Sequence, residues 1–428
     1  MSSKKIIQVD EKVPANLLIP LSLQHTFAMF GASVLVPIIF GIDPSIVLLM
    51  NGVATLLFIF ITKGKSPAYL GSSFAFIGPT SIIIAHQGFA YAQGGFVVLG
   101  IIGCILALVV KRVGTKWIDV VLPPAAMGAV VALIGLELAS LTVKGGSIGA
   151  NLMTDTATAQ DFAVFFITLG TAVLGSVLFK GFLSTIPILI AIVVGYLSAI
   201  AFGMVDFTPV MQTALFTMPH FQLAKFDMNA ILTMLPVLLV LTSEHIGHQV
   251  VTSNVIGRDL LKDPGLHRSL FADYFASALS GLIGGVPTTT YGENIGVMAI
   301  TRVYSVRVIA GAAIFSMFMS FFGPLAALIS TIPGDVIGGV TFLLYGMIGT
   351  SGLRLLVESN VDYSKSKNLI LTSIVFVTGL SGIAVNFAGI ELKGMVLASV
   401  VGIVLSLLFY LFDKAGLMNE SDQNVADL

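Results

Sequence analysis

Apolar residues in this chain come in long runs and rarely alternate with polar ones. The runs recur from near residue 17 to near residue 412, separated by short clusters of charge, Pro and Gly. Most approach the roughly 20 residues a helix needs to cross a bilayer. Counted between their polar boundaries, they predict about 14 membrane-spanning segments in an all-α integral membrane protein.

Two runs break the pattern. Residues 68–86, AYLGSSFAFIGPTSIIIAH, and residues 286–301, VPTTTYGENIGVMAIT, are interrupted by Gly, Ser, Thr and Pro. Backbone that leaves the helix at membrane depth must find its hydrogen-bond partners within protein or in a wet cavity. Short antiparallel strands at SSF and TTTY, pairing with each other at the midplane, meet that need, and Thr and Tyr favour strand. Each strand would feed a half-helix whose first N–H groups are unpaired and partly positive. The two halves also echo each other. One offset carries Gln24-His25 in the first segment onto Glu244-His245 in the eighth, and Phe74 in the third onto Asn294 in the tenth. Seven segments per half is an odd number, so the second copy enters the membrane upside down, a 7+7 inverted repeat. Interrupted helices at matching places in two halves point to a transporter binding site.

Composition supports the class. Of 428 residues, 56% are hydrophobic and 10% charged, against about 25% charged in soluble domains. A net charge of −1 indicates no nucleic-acid partner, and the single Cys104 lies in an apolar run with no disulfide or redox motif. The polar start, MSSKKIIQVDEKVPANLL, lacks the order of a cleavable signal. With this end inside, all Lys and Arg except Lys144, Lys225 and Lys393 fall on the inner side or at its helix ends, which places both termini in the cytoplasm.

Among the acids, only Glu137, Glu244, Asp273 and Glu293 lie well inside apolar runs. A charge at the bilayer centre costs roughly 2.5–3.5 kcal/mol on the insertion scale, so such groups usually face a cavity and serve a function. In TSEHIGHQVV, Glu244 and His248 share a helix face at i and i+4, with Gly247 between them thinning the helix. His245 points about 100° away and reads as structural. Glu293 opens the half-helix ENIGVMAI, either as an ordinary cap or as a ligand contact. Glu137 and Asp273 read as structural, Asp273 neutralising Arg268 or Arg258. Phe74 is either packing or a stacking face. Gln24 and His25, with Ser73, His245, Tyr291 and Asn294, would form the supporting layer. The His pair lacks a third ligand and HExxH is absent, so no metal is expected, and no cofactor. Two carboxylates, an aromatic face and backbone N–H donors suit a small, flat, neutral ring bearing both N–H donors and C=O acceptors. Uracil is such a ring, and others share the pattern. Each charge-assisted hydrogen bond would contribute roughly 1.5–3 kcal/mol, and stacking roughly 1–3.

ENIGVMAITR, residues 293–302, fits the signature of the nucleobase–ascorbate transporter family. QHTFAMFGASVLVP in the first segment, AYLGSSFAFI in the third and EHIGHQVVTSNV in the eighth also resemble that family. The similarity is greatest to its bacterial uracil branch, whose members are uracil–proton symporters of the cytoplasmic membrane. The resemblance implies a core domain (17–112 and 227–330), a gate domain (113–226 and 331–413), cytoplasmic tails (1–16 and 414–428) and a homodimer held through gate helices. It implies substrate contacts at Glu244, Glu293, Phe74 and Gly292, and proton coupling at Glu244 with His248. The expected activity is proton-coupled uptake of uracil by alternating access. Carriage of a purine, xanthine or another pyrimidine stays open, as does sodium coupling through Ser72, Ser73, Asn294 and backbone carbonyls. An intramembrane enzyme would ask for DDxxD, HExxH or a Ser/His dyad, all absent, and an anion channel would not place two carboxylates at its site.

Overall fold

The computed structural model describes residues 6–145, 149–387 and 390–418. It is mainly helical. The principal elements in chain order are α1 (Ala15–Phe40), α2 (Pro44–Ile61), β1 (Leu70–Ser72), α3 (Ile77–His86), α4 (Phe89–Val113), α5 (Pro124–Leu138), α6 (Ala159–Leu178) and α7 (Pro187–Ala201). There follow α8 (Val237–Ile256), α9 (Leu266–Ile283), β2 (Thr288–Thr290), α10 (Gly292–Thr301), α11 (Val306–Ser320), α12 (Gly334–Glu358), α13 (Ser366–Leu380), β3 (Ala384–Phe387), β4 (Ile390–Lys393) and α14 (Gly394–Lys414). Among the described residues, α1, α2, α4, α5 with its following turn, α6, α12 and α14 are each long and apolar enough to cross a membrane.

Helix contacts sort the elements into two groups. In one, α4 packs on α9, and α2 on both α9 and α11, with α1 also on α11. In the other, α5 packs on α12, α13 and α14, and α6 on α7 and α12. Small residues let the backbones close up, as expected where lipid supplies no hydrophobic drive. A Cβ on Gly135 would strike the Tyr345 carbonyl, and one on Gly352 would strike the backbone of Ala132, both across the α5–α12 contact.

The interrupted segments meet as a two-stranded antiparallel sheet, with Leu70 opposite Thr290, Gly71 opposite Thr289 and Ser72 opposite Thr288. The first strand begins two residues before the SSF reading, because Phe74–Phe76 already forms a 3-10 turn into α3. Hydrogen bonds extend the ladder, from Ser73 N–H to Pro287 O at 2.9 Å and from Tyr291 N–H to Tyr69 O at 3.0 Å. Neighbouring hydroxyls take the outer edges. Thr55 Oγ1 accepts from Leu70 N–H at 2.9 Å, and Ser277 Oγ accepts from Thr288 N–H at 3.0 Å while donating to Thr288 O at 2.8 Å. Buried irregular backbone is thereby satisfied. Gly71 is required here, since a Cβ would run into the Tyr291 ring.

Two parts of the chain depart from the sequence reading, and a third adds a contact that it did not foresee. The eighth segment is broken at Pro236 into Met228–Met234 and α8, as a proline without an N–H dictates. The apolar run that begins α13 stops at Leu380, after which Gly382 takes a φ of +75° and β3 and β4 form a hairpin before α14. The amino-terminal tail is docked. Ile7 N–H donates to Arg302 O at 3.1 Å, and Ile7 O and Val9 O accept from Tyr304 and Val306 N–H at 2.9 and 3.1 Å.

Candidate functional site

The two helices after the strand crossing and the face of α8 converge on cavities bounded by the second helix group. One cavity of about 280 Å³ is lined from the first group by Phe74, Ala75, Ser243, Glu244, Gly247 and His248. Its opposite wall is Met127, Val131 and Ile134 of α5 with Ile348, Ser351 and Leu355 of α12. Arg354 and Glu358 stand at the end of this α12 wall and pair with each other at 2.6 Å. Gly247 has nothing within 4 Å of where a Cβ would be, so its missing side chain widens the cavity and serves no helix contact.

His248 is held from the strand: its Nδ1 lies 3.0 Å from Thr290 Oγ1. Its Nε2 lies 3.6 Å from a Cβ built on Gly292, at the start of α10. Glu244, His248, Phe74 and the Gly292 backbone thus gather around one end of the crossing. Phe74 also packs against the apolar cluster of Leu35, Ala191, Ile192 and Leu344, which fixes it as a wall between the helix groups.

Glu293 faces a second cavity, of about 220 Å³, shared with Gly31 of α1, Ile188 of α7, Gly296 of α10, and Leu344 and Met347 of α12. Sequence reasoning expected both carboxylates in one chamber. The structure gives them adjacent cavities, with the consecutive residues Met347 and Ile348 of α12 lining one each. The boundary is formed by α12, which gives Leu344 and Met347 to one cavity and Ile348 and Ser351 to the other. Glu244 and Glu293 sit on α8 and α10, which pack against each other.

The supporting residues fall into separate layers. Asn294 Nδ2 donates to His25 Nδ1 and to the His25 carbonyl, each at 3.1 Å, which ties α10 to α1. Tyr291 O–H donates to Ser72 O at 2.9 Å. Ser73 is buried and holds the ladder through its backbone. Gln24 is half-buried beside His25 on α1. His245 lies behind the site, its Nδ1 2.8 Å from Asp273 Oδ2. Asp273 therefore pairs with His245 and does not neutralise Arg268 or Arg258, and Arg258 binds Asp10 at 2.6 Å. Glu137 is structural, as its position suggested: its Oε2 accepts from Met395 N–H at 2.8 Å and caps the start of α14. Thr290 as the partner of His248, and the α5 and α12 walls, had no sequence signal beyond the Thr run.

The pattern of the Permease family matches residues 17–387 of the chain. The chain belongs to the nucleobase–ascorbate transporter family. It is a transporter and not an enzyme. Its similarity to the uracil permease of Escherichia coli (strain K12) is 54% identity over 410 residues, covering 96% of this chain and 95% of that relative. The uracil permease of Paenibacillus larvae is 51% identical over 418 residues, 97% of this chain and 99% of the relative. That of Bacillus subtilis (strain 168) is 44% identical over 418 residues, 95% and 96% of the two chains. The fold is also that of the transmembrane domain of the cyanobacterial bicarbonate transporter BicA. The TM-score is 0.61 at 17% identity, covering 94% of this chain and all of that one. The murine anion transporter Slc26a9, inward-facing, aligns with a TM-score of 0.69 at 10% identity, over 94% of this chain and 69% of that one. This nucleobase–ascorbate transporter thus keeps a scaffold found in anion carriers while lining its cavities with carboxylates.

Proposed function

We propose that this protein carries uracil with a proton across the bacterial cytoplasmic membrane by alternating access. The observation that carries the reading is the cavity between the two helix groups, where Glu244, His248 and Phe74 meet the amino-terminal end of α10. Uracil offers N–H groups to Glu244, a face to Phe74, and carbonyls to the free N–H groups at Phe74 and Gly292. Glu293, in the neighbouring cavity, completes the contacts when α12 moves aside. Glu244 carries the proton, with His248 one turn away as its relay or tuning partner. A neutral Glu244 removes the repulsion between two nearby carboxylates, and release of the proton on the inner side restores it.

The 14 principal helices are read as 14 spans in a 7+7 inverted repeat, with both termini inside. The first helix group (17–112 and 227–330) is the core domain and the second (113–226 and 331–413) the gate domain. The separation of helix contacts supports this division. In that orientation α12 descends inward, so the Glu244 cavity opens to the cytoplasm beside Arg354 and Glu358. A homodimer through gate helices completes the proposal.

Uptake of labelled uracil into proteoliposomes under an imposed pH step is the test. Accumulation above equilibrium, abolished by a protonophore, is expected, and uptake indifferent to the pH step would overturn the proton role. Sodium coupling is a second reading, favoured by the buried and unpartnered Ser72, Ser73 and Thr288 hydroxyls and Asn294 Oδ1 near the crossing. Replacement of sodium by choline separates the two ions, and competition by xanthine, hypoxanthine and thymine separates the substrates.

A further inference from the structure

Behind the strand crossing lies a polar contact that the transport cycle above does not use. His245 directly follows Glu244 but faces α9, with its Nδ1 2.8 Å from Asp273 Oδ2. Both side chains are closed to solvent, at 0% and 1% exposure, whereas the Lys65–Asp263, Arg258–Asp10 and Arg354–Glu358 pairs are exposed. A carboxylate only accepts, so with Asp273 ionised Nδ1 carries the ring proton. The imidazole also packs edge-on against Phe58, ring centres 6.2 Å apart.

The contact sits where α9 grips both halves of the site. Strand β2 packs along α9. One turn beyond Asp273 on α9, Ser277 binds the backbone of Thr288. Two residues along the strand, Thr290 holds His248. Along α8, polar ties to neighbouring elements include Thr242 with Tyr274 at 2.6 Å, His245 with Asp273, His248 with Thr290, and Gln249 with Ser66 at 3.1 Å. The tie nearest to Glu244 along the helix is that of His245, the next residue. Successive helix residues project about 100° apart. A helix whose His245 is held against α9 therefore has one rotational setting for Glu244, and in this structure that setting aims it into the cavity.

We propose that Asp273 is a positioning residue of the transport site: through His245 it fixes the rotation of α8 and so aims Glu244 at the bound nucleobase. This rests on the assignment of Glu244 as a ligand carboxylate.

The test is a double-mutant cycle on the full-length purified protein, read by equilibrium binding of labelled uracil. Elution profile and thermal midpoint report folding. Asp273→Ala is expected to weaken binding roughly fivefold or more in the parent, within the range of couplings between residues that act together. In a Glu244→Gln background it is expected to add little, because the carboxylate it aims is already gone. Asp273→Asn keeps an oxygen for the Nδ1 proton and is expected to recover most of the loss. If Asp273→Ala does not fold, the pair His245→Leu with Asp273→Leu removes both polar partners together, which buried sites often tolerate, and the same non-additivity is expected of it. Equal weakening in both backgrounds, or an Asn variant as weak as Ala, overturns the positioning role while leaving the site intact. If Glu244→Gln itself binds like the parent, the ligand assignment and the positioning role fall together.

Discussion

Replacing Glu244 by Gln preserves the shape and one acceptor oxygen while removing the charge and the titratable proton. Among the described residues lining its cavity, the guanidinium of Arg354 at the wall's end is paired with Glu358. A charge-assisted hydrogen bond contributes about 1.5–3 kcal/mol and a neutral one about 0.5–1.5. The substitution therefore removes about 1–1.5 kcal/mol, which is about 5–13-fold in Kd. The effect on coupling is of a different kind. A glutamine carries no proton, so the pH step loses its hold on the cycle, whereas exchange of bound uracil for free uracil needs no net proton movement. Two assays on the same proteoliposomes separate these consequences. Counterflow of labelled uracil against a preloaded interior is expected to persist, at reduced apparent affinity. Net accumulation driven by an acidic exterior is expected to vanish. A Glu244→Gln protein that still concentrates uracil under the pH step, or that binds it as tightly as the parent, would refute the reasoning.

Phe74→Ala removes the aromatic face and is expected to weaken uracil binding by about 1–3 kcal/mol, the range for base–aromatic stacking, measured by equilibrium binding. Gly71→Ala places a methyl against the Tyr291 ring, and overpacking of about 1–3 kcal/mol is expected, seen as a lower thermal midpoint together with weaker binding. Glu137→Ala leaves the Met395 N–H without its cap and is expected to lower stability by about 0.5–2 kcal/mol, with the KM for uracil unchanged. The Asp10–Arg258 pair is exposed, and the hydrogen bond from Arg258 holds the Asp10 carboxyl below its ordinary value. Its contribution is therefore present at neutral pH and is lost only as pH falls through that lowered value. Asp10→Asn is expected to leave both the thermal midpoint and the uptake rate near those of the parent at neutral pH.

Much of this protein is legible in its sequence because a bilayer makes few demands and makes them everywhere. Spanning segments must be long and apolar, so their approximate places follow from runs of residues. Non-helical backbone at depth must be marked by Gly, Ser, Thr and Pro, so the broken segments stand out. A carboxylate in such surroundings is rare, so Glu137, Glu244, Asp273 and Glu293 stand out together, but rarity alone does not separate a ligand contact from a structural acid. Which neighbour meets each polar group is another matter, because it depends on helix rotation and on contacts between residues far apart in the chain. The pairing of Asp273 with His245 and of His248 with Thr290, the docking of Ile7 on Arg302 and Tyr304, and the wall of α12 that gives Glu244 and Glu293 separate cavities are all of that kind. Periodicity shows that a helix has a polar face. Only packing decides what that face meets.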